Sequence, residues 1–372
     1  MRVAIYPVAL HICGGGEKYI GKIAEVLSRE SEVSFLVFEQ PDFGKLQSRL
    51  NIDLSRVKSH AMRRPILLRL ARQVHLGRLV EFCDAWVVSK CTREYDLFIN
   101  QGRMPLARSL SGRSLLVCEV PPIRARLKDK PFARFGLDLK GESYETVVVN
   151  SYFTKRWADR YYGKESVVLY PPVDTNSFTP SAKERMILSV GRFSEALHCK
   201  KQLEMIKAFK RLCADTRLQG WEYHLAGGLT SSRYLRKCQE EASGCPIVFH
   251  VDASFGTLRD LYGKARIFWH ATGLGEDEAR HPERMEHFGI TTVEAMSAGC
   301  VPVVINRGGQ PEIVQDGVNG FLFDTVADLE KKTLSIIDDE ATHRKMSVAC
   351  VERSQDFGLD KFERRVQELF AV

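Results

Sequence analysis

Glu286-His287-Phe288-Gly289-Ile290-Thr291-Thr292-Val293-Glu294 runs into Ala295-Met296-Ser297-Ala298-Gly299 and then into Val301-Pro302-Val303-Val304-Ile305. The middle segment reads as a short helix stopped by Gly299. The last reads as an apolar strand covered on both faces. A helix followed at once by such a strand is the repeating unit of a parallel sheet. Gly289 removes a side chain where backbone comes close to a ligand. Glu286 and Glu294 stand on either side of it, eight positions apart. Helix starts attract phosphate and carboxylates grip hydroxyls, so the stretch suits a sugar nucleotide.

The same alternation extends in both directions. Toward the N-terminus, strands are predicted at Val3–Val8, Val33–Phe38, 97–100, 115–118, 146–150 and 167–169, with a helix over 17–29. A second series begins at Met186-Ile187-Leu188-Ser189-Val190-Gly191-Arg192. It continues through a helix over 201–213 and strands at 222–226, 247–250, 267–269 and 301–305. Strand–helix–strand order predicts two doubly wound, Rossmann-like parallel sheets. Pro171-Pro172 and the residues up to Pro180 mark the boundary, because paired prolines stop both helix and sheet. The ligand is expected in a cleft where the C-terminal ends of the strands meet.

Composition narrows the function. At 372 residues the chain exceeds what one core usually accommodates. Ten scattered cysteines with no Cys-x-x-Cys pair predict reduced thiols in a cytoplasmic protein and argue against a zinc site. Met1-Arg2-Val3 enters a strand directly, without a secretory signal. Residues 1–175 carry a net charge of +9 and the rest −2, within a total of +7. The basic half points to an anionic partner or to an ordinary solvated surface. Arg56 to Arg78, with Ile66, Leu67, Leu68 and Leu70 interleaved, reads as a basic amphipathic stretch, joined by 124–134. It either docks peripherally on anionic lipid or packs its leucines on the core. No zinc motif, aromatic RNA-binding set or basic tail points to nucleic acid.

Several motifs in fixed order give a family resemblance. They are Val190-Gly191-Arg192-Phe193, Cys199-Lys200-Lys201-Gln202, the Glu-x7-Glu of Glu286 and Glu294, Glu294-Ala295-Met296-Ser297-Ala298-Gly299-Cys300-Val301-Pro302, and Gly308-Gly309-Gln310-Pro311-Glu312 to Asn319-Gly320-Phe321. Together they resemble the nucleotide-sugar domain of family-4 retaining glycosyltransferases with the GT-B fold. The resemblance implies two Rossmann-like domains facing across a cleft. Residues 1–173 are then the acceptor-side domain and 174–355 the nucleotide-sugar domain, with a C-terminal helix over 356–372 that can cross back to the first.

The resemblance also implies roles. Arg192 and Lys200 stabilise the departing diphosphate without a metal or other cofactor, and Lys201 is the neighbour able to substitute. Glu286 binds donor-sugar hydroxyls and Glu294 binds the ribose. Thr291-x-x-Glu294 equally reads as a capping box that serves only the helix. The backbone of His287, Phe288, Gly289, Ile290 and Thr291 lies along the diphosphate. Gly15 and Gly16, in Gly14-Gly15-Gly16, form either a tight turn or a donor contact. In relatives a histidine often ends the strand before a Pro-Pro pair and contacts the sugar. Here Glu119 stands in that place, before Pro121-Pro122, either as a sugar or acceptor contact or as a surface residue. His224, His250 and His270 sit near strand ends and read as hydrogen-bonded structure rather than catalysts.

The expected activity is transfer of a hexose to a glycan or lipid-linked acceptor, as in polysaccharide biosynthesis. A sugar-nucleotide epimerase and a non-enzymatic nucleotide-sugar-binding protein are the alternatives.

Overall fold

Val301–Ile305 is buried at every position, as a strand with helices on both sides must be. The structure is a computed structural model, and it describes all residues except 8–9, 11–13, 65–76, 103–106, 123–137, 139, 196–198 and 371–372. The chain divides into two units. One comprises Met1–Pro172 with Phe362–Val372, and the other Val173–Lys361.

The first unit is a seven-stranded parallel sheet. Its strands are β1 (Arg2–Tyr6), β2 (Glu32–Val37), β3 (Lys58–Ala61), β4 (Leu97–Gln101), β5 (Arg113–Cys118), β6 (Thr146–Val149) and β7 (Val167–Val168), in the spatial order β3-β2-β1-β4-β5-β6-β7. Alternate residues face opposite layers. Val3, Ile5, Leu115 and Val117 enter one apolar cluster, and Ala4, Leu116 and Cys118 the other. Helix α1 (Gly15–Leu27) adds Ile20, Ile23, Ala24 and Leu27 to the first cluster. The chain's last described helix, Leu359–Phe370, adds Phe362, Val366 and Phe370 at four-residue spacing.

The second unit is a six-stranded parallel sheet of β8 (Met186–Val190), β9 (Glu222–Gly227), β10 (Ile247–Val251), β11 (Ile267–His270), β12 (Val301–Ile305) and β13 (Phe321–Phe323), ordered β10-β9-β8-β11-β12-β13. Its core gathers Phe209, Tyr223 and Trp269, with Trp269 donating its indole N–H to Thr333 at 3.0 Å.

In both sheets the strand order reverses beside the first strand, between β1 and β4 and between β8 and β11. Connections on either side of such a point leave in opposite directions, which opens a crevice at the C-terminal ends of the strands.

Two strands depart from the sequence reading. Lys58–Ala61, read as part of a basic amphipathic stretch, is instead the edge strand β3, paired with β2 from Ser34↔Lys58 to Val37↔Ala61. Residues 65–76 of that stretch, including Arg69, Arg72, Ile66, Leu67, Leu68 and Leu70, lie outside the described residues, as does 124–134. β13 pairs with β12 over three residues and had no counterpart in the reading. Among the described residues no helix is long and apolar enough to cross a membrane.

Candidate active site

The turn after β8 is built by close backbone contact. A Cβ on Gly227 would lie 2.0 Å from the Gly191 carbonyl oxygen, so β9 must end in glycine there for Gly191 to pass. A Cβ on Gly191 would in turn lie 2.6 Å from Lys200 Cγ, so the lysine stem occupies the space a side chain would take. Gln202, the first residue of α5 if helices at Phe43–Leu50, Gly77–Cys91 and Tyr152–Tyr162 are counted α2 to α4, spans Gln202–Leu212 with its successors. Its amide donates to the carbonyls of Gly191 at 3.2 Å and Arg192 at 3.1 Å, tying the turn to the helix start.

This geometry sends Lys200 and Lys201 to different partners. Lys200 Nζ is 2.5 Å from Glu286 Oε2, with both side chains under one-fifth exposed. Lys201 adopts a left-handed backbone (φ 58°) and turns to Glu276, at 2.8 Å. Glu276 also receives Arg284 at 3.0 Å. Lys201 and Arg284 hold the Glu276 carboxyl below the usual carboxylate range against the opposing effect of burial. Arg192 is exposed and, among the described residues, forms no ion pair.

Glu286 is seated by the glycine pair beyond β12. The Gly309 N–H donates to the Glu286 carbonyl at 2.8 Å. Cβ atoms on Gly308 and Gly309 would lie 2.2 Å from the Glu286 carbonyl oxygen and 2.6 Å from that of His287. Behind the carboxylate, His270 Nε2 lies 2.7 Å from Glu286 Oε2. Burial pushes the Glu286 carboxyl up, but Lys200 and His270 outweigh it and hold it well below the usual range. Burial keeps His270 below its ordinary value, although Glu286 acts in the opposite sense, so its imidazole is neutral.

The other expected residues of this unit fall around the same point. Gly289 (φ 126°) is the N-cap of a helix over Ile290–Ser297, which starts with Ile290 and Thr291. Thr291 therefore sits inside the helix, and the capping box is not formed. The Glu294 carboxylate instead accepts from the Tyr262 hydroxyl at 2.9 Å. The N–H groups of Ile290 and Thr291 have no intrahelical acceptor, by helix geometry, whereas Thr292 donates to the Gly289 carbonyl at 3.0 Å. His287 and Phe288 are buried, and the Phe288 ring meets Phe357 edge-on at 5.4 Å.

In the first unit, Glu119 and Gly16 meet beside the point where the strand order reverses. Gln101, at the end of β4, donates from one amide nitrogen to the Gly16 carbonyl at 3.0 Å and to Glu119 Oε1 at 2.6 Å. A Cβ on Gly16 would be 2.9 Å from Glu119 Oε2, so the glycine lets the carboxyl lie against the start of α1. Gly15 is exposed in the same turn. Burial raises the Glu119 carboxyl to about 7, against the hydrogen bond from Gln101.

That shift has a sign. The folded value exceeds the unfolded one, so the contribution to stability is complete below the unfolded value of 4.5 and is lost as pH rises through about 7. Glu119→Gln keeps the oxygen that accepts from Gln101 but cannot ionise. It is expected to melt with the natural protein at pH 4.5 and to be more stable at pH 8, by about 1–2 kcal/mol after allowance for solvent screening. Equal melting temperatures at both pH values would contradict a buried ionisable carboxyl.

Sequence reasoning read His270 as hydrogen-bonded structure, quoted Gln310 only within a motif, and did not single out Thr292, Glu276 or Tyr262. The available signal for His270 was its place as the last residue of β11, beside the point where the sheet reverses.

Two doubly wound parallel units, each with polar residues gathered where its sheet reverses, are the architecture of GT-B proteins. Solved structures share this fold. An Anabaena protein, HepE, crystallised with UDP and glucose, matches over 100% of both chains with a TM-score of 0.70 at 19% identity. Sucrose-phosphate synthase from Thermosynechococcus elongatus matches over 100% of this chain and 98% of its own, with a TM-score of 0.71 at 17% identity. The family model for glycosyl transferases group 1 matches residues 174–353, which fall within the second unit.

Among curated relatives, the human GDP-Man:Man(3)GlcNAc(2)-PP-Dol alpha-1,2-mannosyltransferase is 27% identical over 260 residues, 62% of this chain and 50% of that one. The GDP-mannose-dependent alpha-(1-6)-phosphatidylinositol monomannoside mannosyltransferase of Mycobacterium tuberculosis is 28% identical over 213 residues, 52% of each chain. The chain spans about half the length of these relatives.

Proposed function

We propose that the protein is a retaining hexosyltransferase, moving a hexose from a nucleoside-diphosphate sugar to a hydroxyl of a glycan or lipid-linked acceptor. The observation that carries this reading is the ionised Glu286, seated between Lys200 and His270 where the second sheet reverses. Relatives named as GDP-mannose-dependent mannosyltransferases, acting on a dolichol-linked glycan or a phosphatidylinositol mannoside, support the donor and acceptor classes.

In this reaction the bond from the anomeric carbon to the diphosphate oxygen breaks, and the acceptor oxygen bonds to that carbon on the same face. The acceptor proton passes to the departing phosphate oxygen. Negative charge grows on the diphosphate as the bond breaks. Lys200, Arg192 and the N–H groups at the start of the Ile290–Ser297 helix are the groups proposed to meet it, without a metal. Glu286 grips sugar hydroxyls and Glu294 the ribose. In the first unit, Glu119, with Gly15 and Gly16, is the group proposed to meet a hydroxyl. Positioning and electrostatics suffice for such a front-face path, which needs no enzyme nucleophile.

Calorimetry with UDP, GDP and ADP, followed by NMR of the transfer product, tests this. One diphosphate is expected to bind at micromolar concentration, and the product to keep the donor's anomeric configuration. An inverted product sinks the retaining assignment. Epimerised sugar nucleotide formed without acceptor sinks transfer itself.

A further inference from the structure

Among the described residues, Glu286 receives Lys200 and His270 on one oxygen, Oε2. The two contacts differ in what happens to them when donor binds. In the proposed reaction the Lys200 ammonium turns to the diphosphate. His270 is fully enclosed on the end of β11 and has no phosphate to turn to.

A chain of buried groups fixes which way the imidazole points its proton. Thr292 Oγ1 donates to Gln310 Oε1 at 3.0 Å. The Gln310 carboxamide nitrogen faces His270 Nδ1, at 3.5 Å. The Glu286 carboxylate, 2.7 Å from Nε2, can only accept, so the proton of the neutral ring resides on Nε2, and Nδ1 is left to accept from Gln310. The Thr272 hydroxyl lies 3.3 Å from the same Nε2 and takes a weaker share of that proton. Thr292 and Gln310 are wholly buried and His270 is 3% exposed, so water does not compete for these bonds.

Gly289 completes the arrangement. A Cβ there would lie 2.5 Å from Gln310 Nε2. Between the two acids of the Glu-x7-Glu segment, the glycine leaves the room through which Gln310 reaches His270.

We propose that His270, locked as its Nε2–H tautomer by Gln310 and Thr292, is the positioning residue that keeps Glu286 in place once Lys200 has turned to the diphosphate. The proposal rests on the reading of Glu286 as the sugar-binding carboxylate. It adds that a neutral hydrogen-bond donor orients that carboxylate without neutralising it. Glu286 thus keeps its charge for the sugar hydroxyls while Lys200 serves the phosphates.

The test has two arms. In the first, 15N NMR of the ligand-free protein reports the His270 tautomer. The Nε2–H form at neutral pH is expected in the natural protein, and Gln310→Glu, which puts an acceptor beside Nδ1, is expected to protonate that nitrogen. A natural protein with the proton on Nδ1 overturns the proposal whatever its activity. In the second arm, His270→Leu is expected to lower kcat about tenfold to hundredfold with UDP-glucose or GDP-mannose, whichever the natural protein uses. Affinity for the corresponding UDP or GDP stays within about twofold. His270→Gln retains an N–H donor near the Nε2 position and is expected to recover most of kcat.

A parallel loss of diphosphate affinity, or no recovery by His270→Gln when both variants melt normally, overturns the proposal. Gln310→Leu serves in place of His270→Leu if that variant does not fold, with the same split expected between kcat and diphosphate affinity. A natural protein that transfers no hexose from any sugar donor of the diphosphate it binds defeats the transferase reading and leaves the tautomer measurement to judge the His270 assignment.

Discussion

Lys200→Met lowers the turnover number for sugar transfer by about 10²–10³-fold, the effect of losing one preorganised charge aimed at a developing anion. Methionine keeps the unbranched stem that packs over Gly191, so the turn after β8 survives and the loss reports the ammonium. The substitution also leaves Glu286 with His270 as its remaining partner. Breaking a buried ion pair from one side costs up to about 3–5 kcal/mol, and somewhat less here because both side chains retain some exposure.

The second substitution needed to separate these effects is Glu286→Gln. In the Lys200→Met background it removes the uncompensated charge, so the double variant is expected to be more stable than Lys200→Met alone while remaining inactive. Stopped-time transfer assays and urea denaturation measure the two quantities. Turnover within threefold of the natural protein in Lys200→Met would remove the lysine from the chemistry. Acid behaviour follows from the same pair. The folded Glu286 carboxyl lies well below its unfolded value of 4.5, so its contribution is complete above 4.5 and is lost only as pH falls through the lower folded value.

Gly308→Ala is expected to damage the fold and the site together. Its φ of 64° imposes a left-handed backbone, and the added carbon would overlap the Glu286 carbonyl oxygen at 2.2 Å. Gly317 provides the control. It has φ 76° with nothing within 4 Å of an added Cβ, so alanine there incurs only the conformational cost of about 1 kcal/mol. Overlap with backbone cannot be relieved by rotating a side chain. Gly308→Ala is therefore expected to cost at least about 2 kcal/mol more than Gly317→Ala in denaturation, and to lose donor binding where Gly317→Ala keeps it. Equal costs at the two glycines would show that the loop around Glu286 accommodates the extra carbon.

The parallel sheets were legible because their strands are buried on both faces. Val301–Ile305 and Met186–Val190 are short apolar runs, and helices at the proper spacing separate them. Lys58–Ala61 escaped because an edge strand of Lys, Ser, His and Ala has no apolar signature and is specified by its pairing to β2. Phe321–Phe323 escaped through its shortness. At the site, Lys200 and Glu286 were legible from motifs because local backbone geometry fixes their types and spacing. Thr291 was misjudged as a possible cap because Gly289, with a φ closed to other residues, starts the helix two positions earlier. His270 and Gln310 lie 40 residues apart. Only the closing of β11 against the turn after β12 brings them together, and no local pattern announces such a contact.

The helix Leu359–Phe370 places Phe362, Val366 and Phe370 in the core of the first unit, although nearly 190 residues of the second unit precede them in synthesis. On the ribosome, the N-terminal sheet therefore waits with Tyr19 and its neighbours uncovered while the later unit is made and closes on its own residues. Newborn chains pass through a stage with one finished body and one exposed apolar trough, the kind of surface on which chaperones act. Loss of the helix Leu359–Phe370 would strike the first unit and spare the second.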